Sequence, residues 1–210
     1  NKFSLYPTLF YRNTTDEMEF FVEKQQINIG SETQDIFAST IANIGDYTSY
    51  GTELGISFKP FNWWNMYGEI VLNGFKQRGS FRGASFDGDG LLVSGRYNTT
   101  FNFFKSMKLQ IQNYYRGPIE TGQYRRKGFY GMNIGISNDL FKGNGSIAFN
   151  IRDVFNSNKR LITTFDSDFT RDLELQYRVR QINLSLTYRF NQKQHKGKKG
   201  NQYDNFEIIN

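Results

Sequence analysis

The chain contains no cysteine, one histidine and three prolines in 210 residues. Without cysteine there is no disulfide framework, no thiolate metal site and no cysteine nucleophile. The single imidazole, His195, lies in a basic run near the C-terminus, so a Ser-His-Asp or metal-hydrolase arrangement has no structured histidine to use. Long apolar runs are missing too. Nothing approaches the roughly 18 consecutive apolar residues of a membrane helix, and mean hydropathy is −0.62. That low average says nothing against membrane strands, because a spanning strand is apolar on one side and its polar side cancels the mean. Scarce proline beside 21 Phe and 13 Tyr favours aromatic-lined sheet over helix.

What the chain does contain is alternation. Ile182 to Phe190 alternates apolar and polar residues without a slip. At about 3.3 Å per residue and a tilt of roughly 45° the stretch rises about 21 Å, close to the apolar band of an outer-membrane strand. Thr52, Leu54, Ile56 and Phe58 alternate with Glu53, Gly55, Ser57 and Lys59, and the same period runs through Leu91–Phe101, Met107–Gln112, Tyr130–Ser137 and Ile147–Arg152. Near the start, Phe3, Leu5, Leu9 and Tyr11 oppose Lys2, Ser4, Thr8 and Arg12, with Pro7 in the apolar phase, which asks for a bulge or an edge position. Asn65 to Lys76 is ambiguous, because Tyr67, Val71 and Phe75 sit opposite Met66, Ile70 and Leu72. These stretches predict eight antiparallel strands of period two, an all-β transmembrane barrel fold over residues 1–190. Leu54, Ile56, Ile134, Ile136, Leu184 and Leu186 are the expected lipid-facing residues.

The connections alternate in length. Short links are expected at Pro60–Trp64, Asn102–Ser106 and Asn138–Asn144. Long ones are expected at about Thr14–Asp46, Gln77–Asp89, Gly117–Arg126 and Asn156–Arg171. Short periplasmic turns and long extracellular loops are the outer-membrane arrangement, which sends the last strand downward and puts its tail in the periplasm. Aromatics gather at both strand ends. Phe58, Phe61, Trp63, Trp64, Phe101, Phe103, Phe104, Phe141, Tyr188 and Phe190 mark the short-turn end, and Phe75, Tyr114, Tyr115, Phe129, Tyr130 and Phe155 the other. Upstream of Ile182 the phase slips at Leu175, Tyr177 and Val179, which predicts a bulge near Arg180-Gln181 or a strand projecting above the membrane.

Residues 191–210 are polar and basic and read as a flexible tail. The net charge of +6 is scattered over strands, links and tail rather than gathered in one stripe, so nucleic acid is not an expected partner. The N-terminus opens straight into strand pattern, as in a chain whose leader was removed or a piece of something longer. Asp87-Gly88-Asp89-Gly90 and Asp166-Ser167-Asp168 resemble fragments of calcium loops without the later acidic ligand, so they read as solvated turns. Glu53 and Glu69 face Lys59, Arg96 and Arg152 and read as members of a charge network. No catalytic group, cofactor site or metal site is expected, and enzyme chemistry is not.

Leu9-Phe10-Tyr11-Arg12, Tyr50-Gly51-Thr52-Glu53-Leu54-Gly55, Asn150-Ile151-Arg152-Asp153-Val154-Phe155-Asn156 and Leu184–Phe190 together resemble the C-terminal barrel region of TonB-dependent receptors and the related outer-membrane β-barrel family. The resemblance implies a 22-stranded barrel of which these strands are the last part, and import of a nutrient through it. It implies outer-membrane lipid, an N-terminal plug domain, an energy-transducing periplasmic protein and a surface lipoprotein or other complex subunits as partners. It also implies that Tyr188 and Phe190 serve as an assembly signal. Twenty residues after Phe190 depart from the family habit of ending at the terminal aromatic. In the long links Arg78, Arg82, Arg125, Arg126 and Lys127 are the candidate bases for an anionic ligand. A self-contained eight-stranded barrel with a structural, adhesin or assembly role is the alternative, and a soluble sandwich would place the apolar face inside.

Overall fold

A computed structural model describes residues 2–104 and 106–190; the expected tail and His195 lie outside the described residues. The strands are β1 (Phe3–Ile29), β2 (Glu32–Phe61), β3 (Trp64–Phe81), β4 (Ala84–Ser85), β5 (Gly88–Phe103), β6 (Met107–Arg116), β7 (Ile119–Glu120), β8 (Tyr124–Arg126), β9 (Phe129–Leu140), β10 (Gly145–Arg152), β11 (Arg160–Phe165), β12 (Thr170–Leu175) and β13 (Gln181–Tyr188). A single 3₁₀ turn, Phe141–Gly143, joins β9 to β10. Eight strands form one antiparallel meander in the order β1-β2-β3-β5-β6-β9-β10-β13. They correspond to the eight predicted from alternation. Among the described residues the sheet does not close, so β1 and β13 are its two edges there, and Pro7 sits in an edge strand, where a missing N–H is tolerated.

Register makes the two faces continuous. Phe3, Phe58, Met66, Thr99, Ile111, Ile134, Ile151 and Ile182 form one cross-strand row. Trp64, Phe101, Leu109, Ile136, Phe149 and Leu184 form the next. On the other face run Ser57, Tyr67, Asn98, Gln112 and Asn133, then Gly55, Glu69, Arg96, Tyr114 and Gly131. One face is therefore apolar and the other polar across every strand of the meander. Leu54, Ile56, Ile134, Ile136, Leu184 and Leu186 all take the apolar parity, and Leu184 and Leu186 are each 70% exposed. The ambiguity of β3 resolves in favour of Met66, Ile70 and Leu72 on the apolar face. Phe75 takes the polar parity because it is buried against Tyr47, whose ring stacks on it at 6.3 Å.

The four long links are not loops. In place of an irregular Thr14–Asp46 connection, β1 and β2 continue as a hairpin to a turn at Gly30-Ser31, where Gly30 has φ +67. Glu32 to Asn43 pair with β1 alone, since the β2–β3 pairing stops at Gly45–Gly79. At about 3.3 Å per residue the hairpin projects roughly 40 Å beyond the sheet. A bulge between Thr14 and Met18, with Asp16 at φ 54, moves the apolar residues from odd to even positions, so the alternation breaks where the strand does not.

The remaining three links fold likewise. β3 and β4 meet across Arg82-Gly83, and β12-β11-β8-β7 make a second, four-stranded sheet. Phe21, Ala42, Ile44 and Phe86 bury one another at the base of the hairpin, with Phe81 and Ala84 packed against them. The phase slip before Ile182 is a strand break: the chain leaves β12 at Leu175 and enters β13 at Gln181. Asn156 Oδ1 holds the break, accepting from Gln176 Nε2 at 2.8 Å and from the Arg180 N–H at 3.1 Å.

Candidate functional site

Three of the five candidate bases are already matched by acids. Arg82 Nη1 donates to both Glu23 carboxylate oxygens, at 2.8 and 3.0 Å, and its guanidinium holds the Glu23 carboxyl below the usual carboxylate range. Arg125 forks onto Glu120 at 2.7 and 2.8 Å, with the same downward effect on that carboxyl. Arg78 reaches Asp89 at 3.3 Å and the Gly88 carbonyl at 3.1 Å. These three pairs brace links and do not converge on one point. Lys127 donates its backbone N–H to Leu161 O at 3.0 Å and lines a groove with Thr163 and Asp172.

Arg126 is different. It stands in the second sheet, opposite Ile162 of β11 and Ile119 of β7, and its Nε is shielded from solvent with no hydrogen-bond partner among the described residues. Burial, then the positive charges of Arg116 and Arg160, push its pKa down. Arg160 opens β11 two residues before Ile162, and its guanidinium lies 5.4 Å over the Tyr177 ring. Arg116 ends β6 in register with Ser94 and Phe129, on the polar parity. Gly128 brings the two segments together: a Cβ there would stand 2.8 Å from the Arg116 carbonyl and 3.0 Å from Pro118 N. None of the three arginines has a carboxylate within ion-pair distance among the described residues. Beside them Tyr124 has its pKa raised, first by burial and then by Glu19, itself a carboxyl pushed up by burial. Sequence reasoning missed Arg116 and Arg160; the signal available was their position at strand ends facing a link.

Further along the polar face, Gln110, Gln112, Asn133, Asn150, Asn183 and Ser185 line a recess of about 240 Å³ together with Arg152. Gly135 makes room for it, since a Cβ there would meet Asn150 Oδ1 at 2.6 Å. Glu69 binds Arg96 at 2.6 Å and accepts from the Tyr67 hydroxyl at 3.2 Å, whereas Glu53 faces Thr8 and Val71 across the strands. Asp87 Oδ1 accepts from the Gly79 N–H at 2.9 Å and Asp89 pairs with Arg78, so that acidic stretch is occupied by donors. Asp166 closes its own turn, accepting from the Ser167 N–H at 2.8 Å. Among the described residues no three acidic or histidine side chains come together to hold a metal ion.

The aromatic residues at the short-turn end form a continuous stack. Phe61, Trp63, Trp64, Phe101 and Phe103 follow one another with ring centroids 5.2 to 6.2 Å apart. Tyr188 meets Phe141 edge-on at 5.6 Å, and Phe190 stacks on Tyr188 at 6.5 Å. At the opposite end the expected girdle is only half present. Tyr115 and Tyr130 pair on the apolar face, with Phe155 5.8 Å from Tyr130. Phe75, Tyr114 and Phe129 take the polar parity instead, and the Tyr114 ring fills the hollow over Gly131.

No curated protein and no solved structure matches this chain. The family comparison is decisive, and it agrees with a meander that is apolar on one face and polar on the other. Residues 1–188 match the model of the outer membrane protein beta-barrel family, and the chain belongs to that family.

Proposed function

We propose that this chain is the C-terminal barrel portion of a TonB-dependent receptor that imports a nutrient across the bacterial outer membrane. The observation that carries the reading is the open sheet: eight strands in sequence, with β1 and β13 not paired to each other. Hydrocarbon does not tolerate a free sheet edge, because its N–H and C=O groups have no water to bond. More strands are therefore needed to complete the wall, as in a 22-stranded barrel. In such a barrel the polar face lines the lumen, where the plug domain sits, and the apolar face meets lipid. The long hairpins then point outward from the cell, and the short turns and the tail lie in the periplasm, where the energy-transducing protein acts. The long hairpin and second sheet are the surface on which a surface lipoprotein or another complex subunit would dock.

Cysteines introduced in pairs along β1 and β13 of the native protein test this directly in outer membranes. No β1–β13 crosslink should form, and the intact mass of the gene product should be several times that of 210 residues. A ladder of β1–β13 disulfides in a product of about this length would instead establish a self-contained eight-stranded barrel with a structural, adhesin or assembly role.

A further inference from the structure

We propose that Arg116, Arg126 and Arg160 form a binding site for a small soluble anion carrying two or more negative charges, placed at the outer end of the polar face. The proposal names the ligand class of the receptor reading above and rests on it for the outward orientation.

Three guanidiniums gathered without a carboxylate repel one another, and the fold forces them together through the Gly128 approach and the β8–β11 pairing. Elsewhere at this end Arg78, Arg82 and Arg125 each have an acid within 3.3 Å, while Arg171 lies over the Phe37 ring and Arg180 donates to Val154 O. Among the described residues Arg116, Arg126 and Arg160 lack an acid and stand on segments that the fold draws together. Arg126 adds a buried Nε–H without an acceptor, and a buried donor left unsatisfied is unfavourable until an acceptor arrives. Phosphate or carboxylate oxygens suit it, since the guanidinium fork matches their planar geometry and charge-assisted bonds are the strong class. Arg160 is held in place by the Tyr177 ring, so part of its ordering entropy is already lost before a ligand binds.

Parity decides the source of the anion. Arg116 shares the polar face with Ser94 and Phe129, whereas Tyr115 and Tyr130 occupy the lipid-facing side at the same height. A lipid phosphate outside the barrel would meet the tyrosines. An anion entering the lumen from outside would meet the arginines.

The test uses the full-length gene product in detergent micelles, titrated calorimetrically with pyrophosphate and with citrate, with glucose as a neutral control and lipid A vesicles as the lipid arm. Arg116→Gln, Arg126→Gln and Arg160→Gln are compared with Arg125→Gln, which removes a neighbouring charge that already has its acid. Pyrophosphate or citrate should bind, glucose should not, and each of the three variants should weaken binding about tenfold, the size of one charge-assisted hydrogen bond. Arg125→Gln should bind as wild type. Because Arg160 is exposed, Arg160→Gln keeps the test valid if Arg126→Gln fails to fold. Equal affinity in wild type and in the folded variants overturns the site, as does absence of binding by both soluble anions. Lipid A binding that is lost in the same three variants, without soluble-anion binding, overturns the lumen assignment. A barrel that crosslinks β1 to β13 would refute the receptor reading and leave these affinities as they are.

Discussion

The Gln123 carboxamide takes the place of a strand beside Val22: its Nε2 donates to Val22 O at 3.1 Å, and its Oε1 accepts from the Val22 N–H at 3.4 Å. Both residues are buried. β1 is an edge strand, so its outer N–H and C=O groups have no ladder partner, and one side chain from the β7–β8 connection satisfies two of them. The projecting hairpin is held at two further points. Arg82 of the β3–β4 turn grips Glu23, and Phe169 of the β11–β12 turn packs edge-on against Phe37 at 5.1 Å, with Arg171 over the same ring. Links from three different parts of the chain thus fix one hairpin.

Gln123→Leu should loosen that attachment. It removes both hydrogen bonds and leaves the Val22 peptide groups without partners, a local cost of about 1–3 kcal/mol. Hydrogen exchange at Val22 and its neighbours in the hairpin should speed up by one to two orders of magnitude, roughly what that energy implies, while β5, β6 and β9 keep their protection. Unchanged exchange at Val22 would show that Phe21, Ile44 and Phe86 hold the hairpin unaided.

Acid should act on the same hairpin through Glu23. Its carboxyl is held below its ordinary value of 4.5 by the hydrogen bonds from Arg82, then by Gln25. A depressed carboxyl contributes stability that is complete above the unfolded value and is lost as pH falls through the folded one. Protease cutting at the Gly30-Ser31 tip should therefore rise as pH drops below about 4.5, with an acid-active protease as the probe. Glu23→Gln should show the raised rate already at neutral pH. If cutting in wild type is flat from pH 7 to pH 3, the Arg82 pair does not tether the hairpin.

Lysine should be tolerated on one face of β9 and β6 and not on the other. Ile136 lies between Leu109 and Phe149 in an apolar row, whereas Gln110 stands opposite Thr100 and Gly135 in a polar one. Ile136→Lys should cost roughly 2–4 kcal/mol of folding stability in bilayers, against under about 1 kcal/mol for Gln110→Lys. Urea titration of the two variants in lipid vesicles measures the difference, and equal midpoints would reverse the lipid-facing assignment.

How far the sequence spoke depended on what each strand faces. In the meander one side meets an apolar surround and the other a polar one, so Ile134, Ile136, Leu184 and Leu186 fell into phase and were readable. The projecting hairpin is exposed to water on much of both faces, and Asp16 shifts its parity besides, so nothing in residues 15–45 announced a strand. β7 and β8 are two and three residues long, too brief for a period to register, and β11 sets Leu161 beside Ile162 and Thr163 beside Thr164, which breaks the alternation. The arginines failed for another reason. The acids that claim Arg78 and Arg82 lie 11 and 59 residues away in sequence, and the charges that surround Arg126 come from β6 and β11. In sequence Arg126 is one base among several in the long links, with nothing to set it apart from Arg125 and Lys127.

Surface proteolysis gives a further expectation, and it differs from the one that link length alone suggests. Gln77–Asp89 and Gly117–Arg126 look like open loops in sequence, yet both are hydrogen-bonded into sheet. Protease added to intact cells should cut first at the Gly30-Ser31 tip and spare the Asn62-Trp63 turn, which the proposed orientation places in the periplasm. Early cleavage at Trp63 with an intact hairpin tip would invert the topology.

The final expectation concerns Phe190. It is 77% exposed and touches Tyr188, which in turn meets Phe141 of the β9–β10 turn. Phe101, by contrast, sits inside the aromatic stack with Trp63, Trp64 and Phe103. On packing alone Phe101→Ala should be the more damaging change, because it removes more ring contact and offset-stacked pairs contribute about 0.5–1.5 kcal/mol each beyond area burial. An assembly signal at Tyr188 and Phe190 reverses the order, since a terminal aromatic read by the insertion machinery matters through exposure and not through burial. Membrane-inserted yield should then fall severalfold for Phe190→Ala and little for Phe101→Ala. Both variants should show the opposite ranking in stability once folded in vitro into lipid vesicles, where no machinery acts. Equal insertion yields for the two, with a collapse only when residues 191–210 are deleted, would move the signal into the tail.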